Sequence, residues 1–396
     1  MKVRTSHLMG LTLERSVGAE LSDIFRKVEA GERLSAEDGL RLYKTPNLTA
    51  VGAMANVVRE RLNGDTTFYV RNQHVNYTNI CNKFCKFCSF YAKKGGPDPY
   101  EMTLEEVRRR LEWHKDVRIK EVHMVGGINP RLPYSYYMDL VRLVRECIPS
   151  AQVKAFTAVE IEQIAAKGKV TITQALQDLI DAGLDCLPGG GIEILSDRVH
   201  RELFGRKLGG EEWKAVARAA ASLGLPQYAT MLYGHIETLE ERVEHLVQLR
   251  DLQDEVGNFL SFTPLSFHPE NTELEHVKPL TGDNDLRNIA VSRLMLDNFK
   301  HIKSFWIMNT PEVTQAALWY GADDCDGLVH EYEITYKEGD FGNKTQALTF
   351  ENMCHMIREA GRVPVERDSL YNVVERSEEE LVGGGRRQLT PVSVIH

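Results

Sequence analysis

Apolar and polar positions along this 396-residue chain follow two alternating periods. Short runs rich in β-branched and aromatic residues read as strands, and longer stretches with apolar residues every three or four positions read as amphipathic helices. The strand candidates are His74 to Thr78, Glu121 to Val125, Val153 to Thr157, Asp185 to Leu187, Gln227 to Leu232, Phe259 to Pro264, Ser304 to Met308 and Gly327 to Glu331. Between them, Thr103-Leu-Glu-Glu106 and Thr238-Leu-Glu-Glu241 are capping boxes, and Thr310-Pro311 sets proline at a first helical position. The first of these helices turns Leu104, Val107 and Leu111 to one face. Eight strands separated by helices over about 260 residues predict an α/β protein built as a parallel (β/α)8 barrel, rather than an open doubly wound sheet.

The same pattern divides the chain into residues 1–70, a helical extension with Leu21, Phe25 and Val28 on one face, and 71–335, the barrel. Residues 336–376 form a C-terminal extension packed on the barrel, with a helix from Leu348 to Ala360 that ends at Gly361. Residues 377–396, with Glu378-Glu-Glu380, Gly383-Gly-Gly385 and Arg386-Arg387, read as a polar flexible tail. Forty-eight Lys and Arg against 57 Asp and Glu give a net charge of -9. With no long basic run, nucleic acid and anionic membrane surfaces are poor partners, and a small molecule is the better one. No stretch approaches the roughly 18 apolar residues of a membrane span, and Met1 to Gly10 lacks the apolar core of a signal peptide, so a cytoplasmic protein is expected.

Seven cysteines are present, three of them in Cys81-Asn-Lys-Phe-Cys85-Lys-Phe-Cys88. Three thiolates on one loop leave a metal centre one ligand short. Since a cubane iron-sulfur cluster normally takes four, the open position marks a catalytic rather than a structural site. Structural zinc, closed by His74 or His114, is the alternative, as is a non-enzymatic electron carrier or zinc scaffold. The odd count and ordinary usage speak against a disulfide framework, and Cys147, Cys186, Cys325 and Cys354 read as buried small residues. The cysteine loop follows the first predicted strand, at the end where barrels carry their chemistry. Other dense patches follow strands too: Gly126-Gly127-Ile-Asn129-Pro130, Pro188-Gly-Gly-Gly191-Ile-Glu193, Gly234-His235-Ile-Glu237 and His268-Pro-Glu-Asn271. Asp323-Asp324 with Asp326 reads either as paired carboxylates for acid-base work or as an acidic helix cap.

Cys-x3-Cys-x2-Cys with an aromatic, Phe87, before the last cysteine resembles the signature of radical S-adenosylmethionine (SAM) enzymes, and the barrel agrees. The resemblance implies that Cys81, Cys85 and Cys88 hold a 4Fe-4S cluster whose open iron takes the methionine amino and carboxylate groups of S-adenosylmethionine. It implies that Gly126 and Gly127 offer bare backbone to the methionine amine. Asn76 to Cys81, Lys154-Ala-Phe-Thr-Ala-Val-Glu160, Leu187 to Glu193, Ala229 to Thr238 and Phe267 to Thr272 look like the aminofutalosine synthases of menaquinone biosynthesis by the futalosine route. That resemblance runs from about residue 20 to 375 and implies addition of a 5'-deoxyadenosyl radical to 3-[(1-carboxyvinyl)oxy]benzoate, giving 6-amino-6-deoxyfutalosine. It also implies a reduced flavodoxin or ferredoxin-type electron donor. Sibling families, the dehypoxanthine futalosine cyclases and the deazaflavin synthase components, more often read His-Ala-Phe-Ser-Pro where this chain has Lys154-Ala-Phe-Thr157-Ala. Two departures from the pattern are Asn129, where a His commonly precedes the Pro, and Tyr332 to Gln346. Thr157, Glu160, Glu193 and Arg198 are candidates for S-adenosylmethionine contacts, because ribose hydroxyls need acceptors and a carboxylate favours a forked donor. His235, His268 and Arg293 are candidates to face the substrate carboxylates.

Overall fold

After the helix Leu48–Asn63, Gly64 turns the chain into β1 (Thr66–Val70), which resumes beyond Arg71 as β2 (Asn72–Val75). The computed structural model describes residues 17–93, 98–113, 118–205, 207–328 and 348–376. β2 pairs in parallel with β3 (Glu121–Met124), and β3 with β4 (Gln152–Ala155). Parallel bridges Lys154 to Cys186 and Leu187 to Gln227 carry the sheet through residues 185–187 into β5 (Gln227–Tyr233). β5 pairs with β6 (Phe259–Ser266), and β6 with β7 (His301–Ile302). A bridge from Lys303 to Asp324 reaches β8 (Asp324–Gly327), and β8 pairs with β1. With β1 and β2 as one wall, eight parallel walls close, each joined to the next by helical segments, as right-handed crossovers require.

The first wall begins at Thr66, inside the residues 1–70 expected to be helical, and two further strands lie away from their expected places. Phe305-Trp-Ile-Met308 has the composition of a buried strand, yet Trp306–Asn309 is helical and the wall is His301–Ile302 just before it. The eighth wall is Asp324-Cys-Asp-Gly327, three residues earlier than expected; residues 329–331 of the expected strand lie outside the described residues. Both misplacements have one cause. The interior of this barrel is polar and charged, so its inward positions do not read as apolar. His74, His123 and Lys154 stand level across β2, β3 and β4. Lys154 pairs with Glu121 at 2.5 Å, Lys303 with Asp326 at 3.1 Å, and the two ammonium groups lie 4.9 and 5.1 Å from the Tyr228 ring centre.

The apolar core lies outside the strands, where Val122, Val153, Ala229 and Phe262 meet Leu140, Leu176 and Leu246 of the helices. The N-terminal helices Ala36–Lys44 and Leu48–Asn63 pack against Leu239–Val256 and Gly282–Met295, with Leu21, Phe25 and Val28 buried. The chain after helix Phe350–Glu359 forms β9 (Val363–Glu366), which adds to the free edge of β1 from Thr66 to Tyr69. Residues 367–371 then stopper the N-terminal mouth. Arg367 donates to Asp324 at 2.5 Å, Ser369 donates to Glu121 and Gln152 at 3.0 and 2.6 Å, and Tyr228 donates to the Ser369 carbonyl at 2.5 Å. Among the described residues no helix is long and apolar enough to cross a membrane.

Candidate active site

With one mouth stoppered, the other is left for chemistry. The cysteine loop rises from β2 and is stitched to three neighbours through its backbone. The Asn82 amide donates to the Ile128 carbonyl at 3.0 Å, Lys86 to Leu203 at 3.0 Å, and Glu273 to the Lys86 carbonyl at 2.9 Å. All seven cysteines are free thiols, and Cys85 and Cys88 lie in an apolar cluster of their own with Ile194, Val199, Leu203, Phe204, Leu232, Phe267 and Leu274. Burial pushes the Cys85 thiol up to about 12 and raises that of Cys88, against the amides of Tyr91 and Phe90 that point at its sulfur. Dry thiols resist ionising, so metal is needed to draw them into the thiolate form. Among the described residues no three His, Cys, Asp or Glu side chains gather on one point as a single metal ion requires. His74, the described candidate for a fourth zinc ligand, sits inside the barrel, its ring 4.5 Å from that of His123, and His114 lies outside the described residues.

The glycine pair after β3 abuts this loop. A Cβ on Gly127 would stand 2.4 Å from the Ile80 carbonyl oxygen, and one on Gly126 2.8 Å from the Tyr77 ring. Backbone approaches backbone here because no side chain intervenes. Glu160 locks the junction. Its Oε1 accepts from the Tyr77 hydroxyl at 2.7 Å and the Gly126 amide at 2.9 Å, and its Oε2 accepts from the Thr157 amide and hydroxyl, both at 2.7 Å. Thr157 and Glu160 therefore form a capping box at the start of helix Ala158–Gly168, and the carboxylate is spent on protein donors rather than offered to a ribose. Burial raises its pKa, with the Tyr77, Thr157 and Gly126 donors opposing. Thr-Ala-Val-Glu is itself a capping-box pattern, so the signal for this role stood in the sequence.

Other candidates separate clearly. Glu193, held at a φ of 60°, pairs at 2.5 Å with Lys207, a residue that nothing in the sequence pattern marked. The Lys207 ammonium lies 5.3 and 4.8 Å from the Phe87 and Phe204 ring centres. Burial alone would lower its pKa; Glu193, then Cys85, more than reverse this, so a buried cation stands next to the thiols. Arg198 is instead taken up by Glu241 at 2.6 Å and by the Ile236 carbonyl at 2.8 Å, which leaves no fork for a ligand carboxylate. Arg293 is fully buried behind the barrel, donating to Gly321 at 2.8 Å, to Asp323 at 2.5 Å and to the carbonyls of Phe299 and Lys300; it cannot reach a substrate. His235 stands at the right end but spends Nε2 on the Leu232 carbonyl and Nδ1 on the Ile236 amide. His268 meets the Met308 carbonyl at 3.0 Å. Asn129 ties Glu101 and Thr78 together, and Asp323, Asp324 and Asp326 are each held by a cation, neither an acid-base pair nor a helix cap.

Three thiols on a glycine-backed loop, two of them in an apolar cluster and a buried cation next to them, fit an iron-sulfur cluster and its small ligand. The model of the radical SAM superfamily matches residues 75–249, and that of the CofH/MqnC C-terminal region matches 256–380. An aminodeoxyfutalosine synthase of Thermus thermophilus is 44% identical across 89% of this chain and 96% of its own length. This chain belongs to the radical SAM superfamily. As a member it is an enzyme that uses a 4Fe-4S cluster and S-adenosylmethionine. A Streptomyces coelicolor aminodeoxyfutalosine synthase is 39% identical over 90% of the chain and 94% of its own, and a cyclic dehypoxanthine futalosine synthase of Halalkalibacterium halodurans 34% identical over 91% and 96%. The solved structure of methylornithine synthase superposes with a TM-score of 0.71 at 18% identity, covering 86% of this chain and 96% of that one, which speaks for the shared barrel.

Proposed function

We propose that this protein is an aminodeoxyfutalosine synthase, converting S-adenosylmethionine and 3-[(1-carboxyvinyl)oxy]benzoate, with loss of one carboxyl carbon, into 6-amino-6-deoxyfutalosine. The observation that carries it is near full-length identity of 44% and 39% to proteins of that name, against 34% to a cyclase. Cys81, Cys85 and Cys88 are the residues to hold the cluster. Bound there, a 4Fe-4S cluster supplies the electron that cleaves S-adenosylmethionine to a 5'-deoxyadenosyl radical. The protein's share is placement and dryness. Glu160 fixes the Gly126 amide and Tyr77 in one frame, so the edge next to the cysteine loop has no freedom to drift. Phe204, Leu232 and Phe267 keep water from the thiol side of the mouth, protecting any carbon radical from quenching. A reduced flavodoxin or ferredoxin-type protein is the electron donor.

The test is anaerobic turnover with S-adenosylmethionine labelled in the adenosyl group. Label in a new adenine-containing adduct with the benzoate supports the synthase. Label only in free 5'-deoxyadenosine while dehypoxanthine futalosine is consumed makes the protein a cyclase and overturns the reading.

A further inference from the structure

The cysteine loop has an outer face as well as an inner one. There Lys83, Phe84, Lys86, Arg201, Leu203 and Gly205 line a hollow of about 250 Å³, open at the surface. Its floor is the stitch between the Lys86 amide and the Leu203 carbonyl at 3.0 Å, so the hollow sits directly on the residues that flank buried Cys85. Phe84 is 51% exposed although its immediate neighbour is buried, and it holds a φ of 52°. Its ring meets that of Tyr91 edge-on at 6.0 Å, so an aromatic residue in the sparsely populated left-handed region is held in place as an apolar anchor at the edge of the hollow.

The rim is basic on a chain of net charge -9. Lys83 is answered by Glu162 at 3.3 Å, and Glu202, which also borders the hollow, by Arg198 at 3.2 Å. Lys86 and Arg201 are exposed, and neither has an ion-pair partner among the described residues. Glu202 on the rim itself and Glu273, whose amide donates to the Lys86 carbonyl, are acidic neighbours that temper them. An apolar anchor within a cationic rim is the anatomy of a small, transient protein interface. We propose that this hollow is where an acidic, low-potential one-electron carrier protein docks, delivering its electron across the Phe84 to Lys86 stretch to the group held by Cys85. The inference rests on the iron-sulfur reading. It commits to a protein donor, whose acidic face the basic rim would steer against the overall negative charge.

The experiment is stopped-flow reduction of the reconstituted holoenzyme, followed by loss of the cluster's visible absorbance. Two reductants are compared at low and high salt: an acidic flavodoxin in its hydroquinone form, and dithionite. Lys86→Glu/Arg201→Glu is expected to slow reduction by flavodoxin at least tenfold at low salt, within the 10 to 1,000-fold span of electrostatic steering, and less at high salt. Dithionite, which needs no docking surface, should reduce that variant and the parent within twofold of each other. A control of equal charge change far from the loop, Arg26→Glu/Lys300→Glu, should leave the flavodoxin rate within twofold. Equal slowing by both double variants would show a global charge effect and overturn the site, as would an unchanged rate in Lys86→Glu/Arg201→Glu. Failure of dithionite to reduce any form would instead count against the iron-sulfur reading itself.

Discussion

Replacing Lys207 by Met removes the buried cation beneath the cysteine loop and leaves Glu193 without its partner. The Lys207 and Glu193 side chains are 6% and 12% exposed, and the pair closes at 2.5 Å, so little solvent is at hand to take over either charge. Breaking such a pair from one side costs on the order of 3–5 kcal/mol, most of it the uncompensated charge left behind. Contacts with the Phe87 and Phe204 rings, each worth about 0.5–2 kcal/mol, are lost as well and set a floor beneath that figure. Lys207→Met/Glu193→Gln should recover most of the loss, because it removes the stranded charge. The assay is urea unfolding of the four forms followed by circular dichroism, with the coupling read from the double-mutant cycle. A coupling below about 1 kcal/mol, or a double variant no better than Lys207→Met, would refute the claim that the pair acts as a unit.

Three further outcomes are expected. Gly127→Ala should sharply lower iron incorporation, measured per chain after reconstitution, because its Cβ would lie 2.4 Å from the Ile80 carbonyl and push the cysteine loop outward. Cys81→Ala, Cys85→Ala and Cys88→Ala should each abolish turnover, whereas Cys147→Ala and Cys354→Ala should keep it at some cost in packing; equal loss in both sets would remove the case for the triad. Burial holds His74 down to about 4 and His245 to about 3, so the unfolded chain, with an ordinary histidine pKa near 6.5, binds more protons below that pH. Stability present above pH 6.5 is therefore lost as pH falls, by about 1.4 kcal/mol for each histidine at pH 5.5. Glu160 and Asp285, raised chiefly by burial, oppose this slope as pH nears the ordinary carboxylate range. A urea midpoint no lower at pH 5.5 than at 7.5 would contradict the prediction.

Local signals settle much of this protein. Three cysteines within eight residues define a ligand set by spacing alone, and Thr103 to Glu106 and Thr238 to Glu241 close the capping boxes their pattern announces. Alternating strand and helix periods gave a barrel, because a parallel sheet covered by helices is the packing that buries all their outer apolar faces. Tertiary structure decided what the side chains inside and above that barrel do. Asp324-Cys-Asp-Gly327 is a strand because Arg367 and Lys303, distant in sequence, neutralise its carboxylates. Glu160 and Arg198, whose chemistry suits a ligand, are partners of Tyr77, Gly126 and Glu241, while Lys207 matters only because the fold sets it between Glu193 and two aromatic rings. The physical reason is one of range. Spacing within a turn or a loop is fixed by backbone geometry, but whether a charge meets a ligand, a counter-charge or solvent depends on which distant segment is folded against it.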